Sequence, residues 1–240
     1  MEEKLSGLVL GGVNFGENDK ILNIFTLENG VISAKIKGVK KARAKLKFAA
    51  EPFCFAQFIF AKTGKNRTVT GASLIESFYA LREDLVKYYV GGTILEFVKR
   101  FIKEEDVEPE FFYLVINSLK QVAFGDEPAQ LTLIKFLLSA LKLIGYSLSL
   151  NGCFSCGKKI EGKIFFDYEC GGFFCQECYH SQSAKQINLK TFESLRKVID
   201  GDKLNKEDCL QPLRLLEFYI QNRTEEKITS LQELINIISD

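Results

Sequence analysis

The feature that most restricts this chain is a pair of two-cysteine knuckles, Cys153-Phe154-Ser155-Cys156 and Cys175-Gln176-Glu177-Cys178, separated by eighteen residues. Each C-x-x-C turn brings two sulfurs to one point. An intervening hairpin can carry the second pair round to complete a tetrahedron, the geometry of a four-thiolate zinc site. Gly152, Gly157, Gly171 and Gly172 flank the knuckles, where the backbone has to bend tightly. We therefore expect one structural zinc ion held by Cys153, Cys156, Cys175 and Cys178. Cys170, a fifth thiol in the segment, and His180, the single histidine, compete for membership, but four paired cysteines already fill such a site. Cys54 and Cys209 stand alone in apolar stretches and read as small core residues. The opening Met1-Glu2-Glu3-Lys4 is acidic and leads into no long apolar run, so it does not read as a signal peptide. The expected setting is cytoplasmic and reducing, where such spacing points to metal rather than to disulfides.

The rest of the chain divides by its hydrophobic rhythm. Leu5 to Val13, Lys20 to Leu27, Val31 to Gly38, Pro52 to Lys62 and Arg67 to Leu74 are short runs rich in Val, Ile, Phe and Leu, broken by turn residues. Asn29-Gly30 between the second and third marks a tight hairpin. Five short strands with glycine corners fit a small closed barrel. Beyond residue 78 the period becomes helical. Arg82 to Glu105 is the first such stretch, with Gly91-Gly92 kinking it or allowing close packing. Pro109 then opens a helix to about Phe124 and Pro128 one over Ala129 to Tyr146, proline being suited to a first turn. After the cysteines, Leu189 to Ile199, Leu213 to Asn222 and Ser230 to Ile238 are amphipathic, while Lys163 to Tyr168 between the knuckles reads as a strand. The expected architecture is α+β and multidomain: a β-barrel over 1–78, an α-helical bundle over 79–150 and 185–240, and a zinc-finger insertion at 151–184. Leu131 to Ile144, the richest apolar stretch, is interrupted by Lys135 and Lys142 and falls short of the roughly 18–20 residues of a membrane span.

Charge is distributed unevenly. Residues 1–75 carry a net of +6 and the remainder −5. Lys35, Lys37, Lys40, Lys41, Arg43, Lys45 and Lys47 lie within thirteen residues that hold no acid. Such a run recruits phosphates at ordinary salt, although it does not distinguish DNA from RNA. Lys35 and Lys37 should project together from a strand end, with Ile36 pointing inward. Phe15, Phe25, Phe48, Phe53, Phe55, Phe58 and Phe60 accompany the run; most must be core, with Phe15 and Phe48 the exceptions free to meet bases.

No phosphate-binding loop or dinucleotide fingerprint occurs. Gly11-Gly12…Gly16 has no following helix, and a nucleophile–histidine arrangement would have to use His180 beside a knuckle. Pairs such as Glu225-Glu226 sit at helix ends and read as solvated surface. A closed thiolate site offers no position for water, which argues against hydrolysis. The chain is therefore expected to catalyse no reaction. Two other readings stay open on residues alone: an RNA-binding zinc-ribbon protein, and a zinc-dependent hydrolase or deaminase, whose H-x-E half-signature is absent.

Particular stretches resemble the RecO family of recombination mediators. Lys37-Gly38-Val39-Lys40-Lys41, Arg43, Leu46 and Glu51-Pro52-Phe53 look like its basic loop leading into a barrel strand. Leu74-Ile75-Glu76-Ser77-Phe78 with Leu81-Arg82-Glu83-Asp84-Leu85 resembles its junction into the first helix. Gly171-Gly172-Phe173-Phe174-Cys175 resembles its approach to the second knuckle, with Cys170 outside the ligand set, and Gly16-Glu17-Asn18-Asp19-Lys20 fits its first turn. Tyr219, Asn222-Arg223 and Ser230-Leu231 match its basic final helix only loosely. The resemblance implies an OB-fold barrel, binding of single- and double-stranded DNA, and annealing of complementary strands. It further implies a cytoplasmic, nucleoid-associated protein that works with RecR to load RecA onto strands coated by the single-strand-binding protein.

Overall fold

The computed structural model describes residues 2–64, 66–105, 108–179 and 183–239. Two compact units divide the chain, Met1–Ala123 and Phe124–Asp240.

In the first unit five strands close on themselves. They are β1 (Glu2–Phe15), β2 (Asp19–Thr26), β3 (Gly30–Ile36), β4 (Phe55–Thr63) and β5 (Asn66–Glu76). Their order round the barrel is β1-β2-β3-β5-β4, with β4 returning to β1. The closing β3–β5 pair is parallel and short, Lys35 with Thr68 and Ile36 with Val69. That Greek-key closure is the OB-fold. Closure leaves one long β1 to serve two neighbours: its first half pairs with β4, its second with β2, and a bulge between Val9 and Gly11 bends it from one to the other. Leu5, Val9, Leu22, Ile24, Ile32, Ala34, Ile36, Phe58, Phe60 and Val69 fill the interior. Asn29-Gly30 closes the β2–β3 hairpin as expected, with Gly30 at φ 65°.

The fourth strand begins later than its composition suggests. Phe53 has φ 69° and lies outside β4, which starts at Phe55. Its N–H donates to the Val9 carbonyl, Cys54 accepts from the Val9 N–H, and the ring lodges beneath α1 (Leu85–Phe101). A Cβ on Gly91 would come within 2.9 Å of that ring. The glycine pair therefore permits close packing, and the helix runs through it unbroken. α1 also starts at Leu85 rather than Arg82, because the Asp84 carboxylate caps it by accepting from the Lys87 N–H, and it stops at Phe101 rather than Glu105. α2 (Pro109–Phe124) covers one side of the barrel, Phe111 and Phe112 packing on Phe25.

In the second unit α3 (Ala129–Leu143) packs against α4 (Leu189–Asp200) and α5 (Leu210–Thr224), and α5 against α6 (Thr229–Ile237). α3 ends three residues before Tyr146, and α5 begins three before Leu213, with Pro212 in its first turn. Between α3 and α4 the chain makes the cysteine segment and a three-stranded sheet of order β7-β6-β8: β6 (Ile164–Asp167), β7 (Gly172–Cys175) and β8 (Ala184–Ile187). Phe166 and Phe173 on the sheet meet Tyr219 of α5 and Phe192 of α4, which seats the insertion on the helices. The Tyr219 hydroxyl donates to the Tyr146 carbonyl at 3.2 Å. Cys54 and Cys209 are buried, as their apolar settings require. No helix among the described residues is long and apolar enough to cross a membrane.

Candidate nucleic-acid interface and metal centre

The basic segment emerges from β3 and returns to the barrel as a series of turns, ending in a short 3-10 turn at Phe48–Ala50. Its apolar residues hold it down. Val39 is buried in the barrel core, Leu46 packs against that core, and Ala49 and Ala50 join it. Backbone bonds fix the crossing: the Lys40 N–H donates to the Asn18 carbonyl at 3.0 Å, and the Gly38 N–H to Asp19 Oδ1 at 2.8 Å. With its apolar residues inward, the loop turns Lys37, Lys40, Lys41, Arg43, Lys45 and Lys47 to solvent. None of these six forms an ion pair with a described residue. A cationic surface with no internal acid is poised for an external polyanion.

Lys35 differs from the other six. Its ammonium sits 2.9 Å from Asp19 Oδ2 and 4.4 Å from the centre of the Phe15 ring. The Lys35 ammonium and the Gly38 N–H together hold the Asp19 carboxyl below its ordinary range. Of the two exceptions expected among the phenylalanines, both are exposed, Phe15 at 48% and Phe48 at 37%, whereas Phe53, Phe58 and Phe60 are buried.

Two further features had no signal in the sequence. Arg67, 8% exposed, donates to Glu3 at 3.1 Å and to Glu104 at 2.6 Å, tying the start of β1 and the segment after α1 to β5. Lys99 of α1 reaches the glycine bend of β1: its Nζ lies 2.9 Å from where a Cβ of Gly11 would be. Burial lowers the Lys99 pKa.

In the second unit the four paired cysteines converge, every sulfur lying within 4.8 Å of the others. Metal–thiolate bonds of about 2.3 Å in a tetrahedron set sulfurs roughly 3.8 Å apart, so this cluster can close on an ion with little movement. The first knuckle is braced by the Cys153 N–H donating to the Lys158 carbonyl and the Gly157 N–H to the Cys153 carbonyl, the second by the Cys178 N–H donating to the Cys175 carbonyl. Burial acts to raise the Cys153 pKa, but N–H groups of Cys156, Cys175 and Ser155 directed at its sulfur outweigh that and bring it down to about 6. Cys178, hydrogen-bonded to the neighbouring Cys175 and Cys156 thiols, is pushed up to about 12. Cys170 lies outside the cluster, its thiol directed at the Asp167 carbonyl. His180 falls outside the described residues.

The chain is thus of the class that joins a closed OB barrel bearing a cationic loop to helices that carry a braced four-cysteine cluster. Two family models account for nearly all of it: "Recombination protein O N terminal" matches residues 1–78 and "Recombination protein O C terminal" residues 82–232. The chain belongs to the recombination protein O, or RecO, family. Its relatives include the DNA repair protein RecO of Acetivibrio thermocellus, 28% identical over 95% of this chain and 94% of that protein. That of Caldicellulosiruptor saccharolyticus is 31% identical over 80% of this chain and 78% of its own length. That of Bacillus subtilis is 31% identical over 75% of this chain and 69% of its own. DNA repair and recombination are thus the functional class in which the chain falls.

Proposed function

We propose that the protein is a recombination mediator that binds single- and double-stranded DNA through Lys35, Lys37, Lys40, Lys41, Arg43, Lys45 and Lys47, anneals complementary strands, and catalyses no chemical step. The observation that carries this reading is the solvent-facing loop of six cations without an internal acid, pinned to an OB barrel. Lys35 joins through Asp19 and supplies position more than free charge. Membership of the family supports the further reading that it acts with RecR, in the cytoplasm at the nucleoid, to load RecA onto strands coated by the single-strand-binding protein. Loading RecA is then a matter of handing over a strand, which needs reversible electrostatic contact rather than bond making.

Zinc is the ion we assign to Cys153, Cys156, Cys175 and Cys178. Four thiolates suit it, and it would supply a rigid cross-link and no reactive position. We further propose that the chain is organised as a barrel over 1–78, a helical body over 79–150 and 185–240, and the finger at 151–184. The family models meet between residues 78 and 82, whereas tight packing alone groups α1 and α2 with the barrel.

The test is strand annealing with complementary oligonucleotides, bare and coated, using protein of measured zinc content. Faster annealing of both is expected, and no acceleration would refute the reading. Competition between matched single-stranded DNA and RNA separates it from an RNA-binding role, which a clear RNA preference would establish instead.

A further inference from the structure

In the second unit β8 runs directly into α4, and the corner between them encloses a cavity of about 330 Å3. Three elements wall it: β8 contributes Lys185, the first turn of α4 contributes Thr191, and α5 contributes a stripe at helical spacing, Arg214, Leu215 and Phe218. Phe166 of β6 closes the floor. Contacts already described hold these walls in place, because Phe166 packs on Tyr219 of α5 and Phe173 on Phe192 of α4. Such a volume lies at the small end of ligand pockets, which span roughly 300–1,000 Å3.

The polar groups of this cavity share one sign. Lys185 stands opposite Phe166 in the β6–β8 register, so it leaves the sheet on the same side as that ring and faces the helices. Its ammonium lies 4.2 Å from the centre of the Phe218 ring. Arg214 comes from the α5 wall and spends one of its five donors on Ser239 Oγ at 3.0 Å. Among the described residues neither cation forms an ion pair, and no acid lines the cavity. Thr191 adds an independent sign of a ligand. It is only 6% exposed, yet its hydroxyl has no hydrogen-bond partner among the described residues. Since no fully enclosed side-chain oxygen among them lacks a partner, this one reaches the cavity that Thr191 lines. A hydroxyl so placed is ordinarily satisfied by a group that sits in the space before it. The positive end of α4 opens there as well.

We propose that this cavity binds a nucleoside monophosphate. Lys185 and Arg214 hold the phosphate, Thr191 donates its hydroxyl to a phosphate oxygen at the N-terminal end of α4, and the base lies against Phe166, Leu215 and Phe218. Two uncompensated cations match a phosphate monoester, which carries about two negative charges at neutral pH, better than a diester, which carries one. A lone phosphate would fill only a corner of the space. The remaining wall is aromatic and aliphatic, which suits a flat ring more than a bare sugar. The site uses none of the cations of the 37–47 loop, so it stands independently of the DNA-binding reading.

The experiment is calorimetric titration of the full-length protein with each common ribonucleoside monophosphate, its nucleoside, ribose 5-phosphate and inorganic phosphate. At least one monophosphate should bind about tenfold more tightly than its nucleoside and than either phosphate without a base. Lys185 and Arg214 are exposed, so Lys185→Met and Arg214→Met should fold, and circular dichroism checks it. Each removes a charged donor worth roughly ten- to a hundredfold and should weaken monophosphate binding by such a factor, leaving nucleoside binding unchanged. Thr191→Val keeps the shape and should cost roughly two- to tenfold. The Lys40→Ala, Lys41→Ala, Arg43→Ala variant should bind the monophosphate as wild type does. No monophosphate binding at millimolar concentration overturns the site. Inorganic phosphate binding as tightly as every monophosphate overturns it too and leaves an adventitious anion only. Loss in the loop variant, with none in Lys185→Met or Arg214→Met, places the nucleotide on the barrel and refutes the cavity. Tighter binding of a 5′-phosphorylated oligonucleotide than of any mononucleotide, dependent on Lys185 and kept in the loop variant, overturns the free nucleotide in favour of a strand end.

Discussion

Stripping the ion from the cysteine cluster should weaken the second unit alone. A bound ion closes a loop from Cys153 to Cys178, twenty-six residues counted inclusively. A cross-link of that span removes about 3.5 kcal/mol of chain entropy from the unfolded state at 25 °C on the loop-closure relation used for disulfides. The loss should not unfold the insertion outright. Phe166 and Phe173 stay packed on Tyr219 and Phe192, contacts independent of the sulfurs. For a unit of this size about 3.5 kcal/mol corresponds to a fall in Tm of roughly 10–20 °C. The assay is calorimetry on protein treated with a chelator and on a Cys175→Ser, Cys178→Ser variant, with hydrogen exchange read strand by strand. Protection should fall in β6, β7 and β8 and hold in β1 to β5, and oligonucleotide affinity should change less than about twofold. Unaltered melting would refute the structural role. Loss of DNA binding in step with the metal would refute the separation between ion and interface.

Without metal, stability should depend on pH through the thiols. Cys153 is held at about 6 when folded, against an ordinary 9.0, so its stabilising contribution is complete above pH 9 and lost as pH falls through 6. Cys178 is raised to about 12, so its contribution holds below pH 9 and is lost as pH rises towards 12. The metal-free protein should therefore melt highest near pH 9, and uptake of zinc at pH 7 should release protons detectable in weak buffer; a flat melting profile would contradict both shifts. Elsewhere, Arg67→Met leaves Glu3 and Glu104 without their shared partner. Because Glu104 is half exposed, the cost should be about 1–3 kcal/mol in denaturant unfolding, below that of a fully buried pair. An unchanged midpoint would show the cluster to be ornamental.

Much of the architecture can be read from local pattern. Asn29-Gly30 specifies its hairpin, Pro109 marks a helix start, and the knuckle spacing anticipates a cluster that does assemble. What could not be read depends on partners distant in sequence. The run Pro52 to Lys62 alternates like a strand throughout, yet Phe53 leaves the sheet at φ 69° because Gly91, thirty-eight residues on, makes room for its ring. Nothing near Lys35 shows that Asp19 will neutralise it; that follows only from the β2–β3 register. Gly11 and Lys99 meet for the same reason, through a helix packed on a bulged strand. β8 is too short and too polar, Ala184-Lys185-Gln186-Ile187, to stand out from a loop. Patterns of two and 3.6 residues identify elements, while the pairing of charges and rings across elements requires the fold.

The salt dependence of single-strand binding reaches the central claim most directly. If the six exposed cations of the 37–47 loop all meet phosphates, log K should fall against log salt with a slope of about −4, at roughly 0.7 per contact on a single strand. Lys40→Ala, Lys41→Ala and Arg43→Ala together should bring the slope to about −2 while the melting temperature stays put. Equal slopes in the wild type and the triple variant, or no binding by the wild type in dilute buffer, would contradict a cationic loop that grips the phosphate chain.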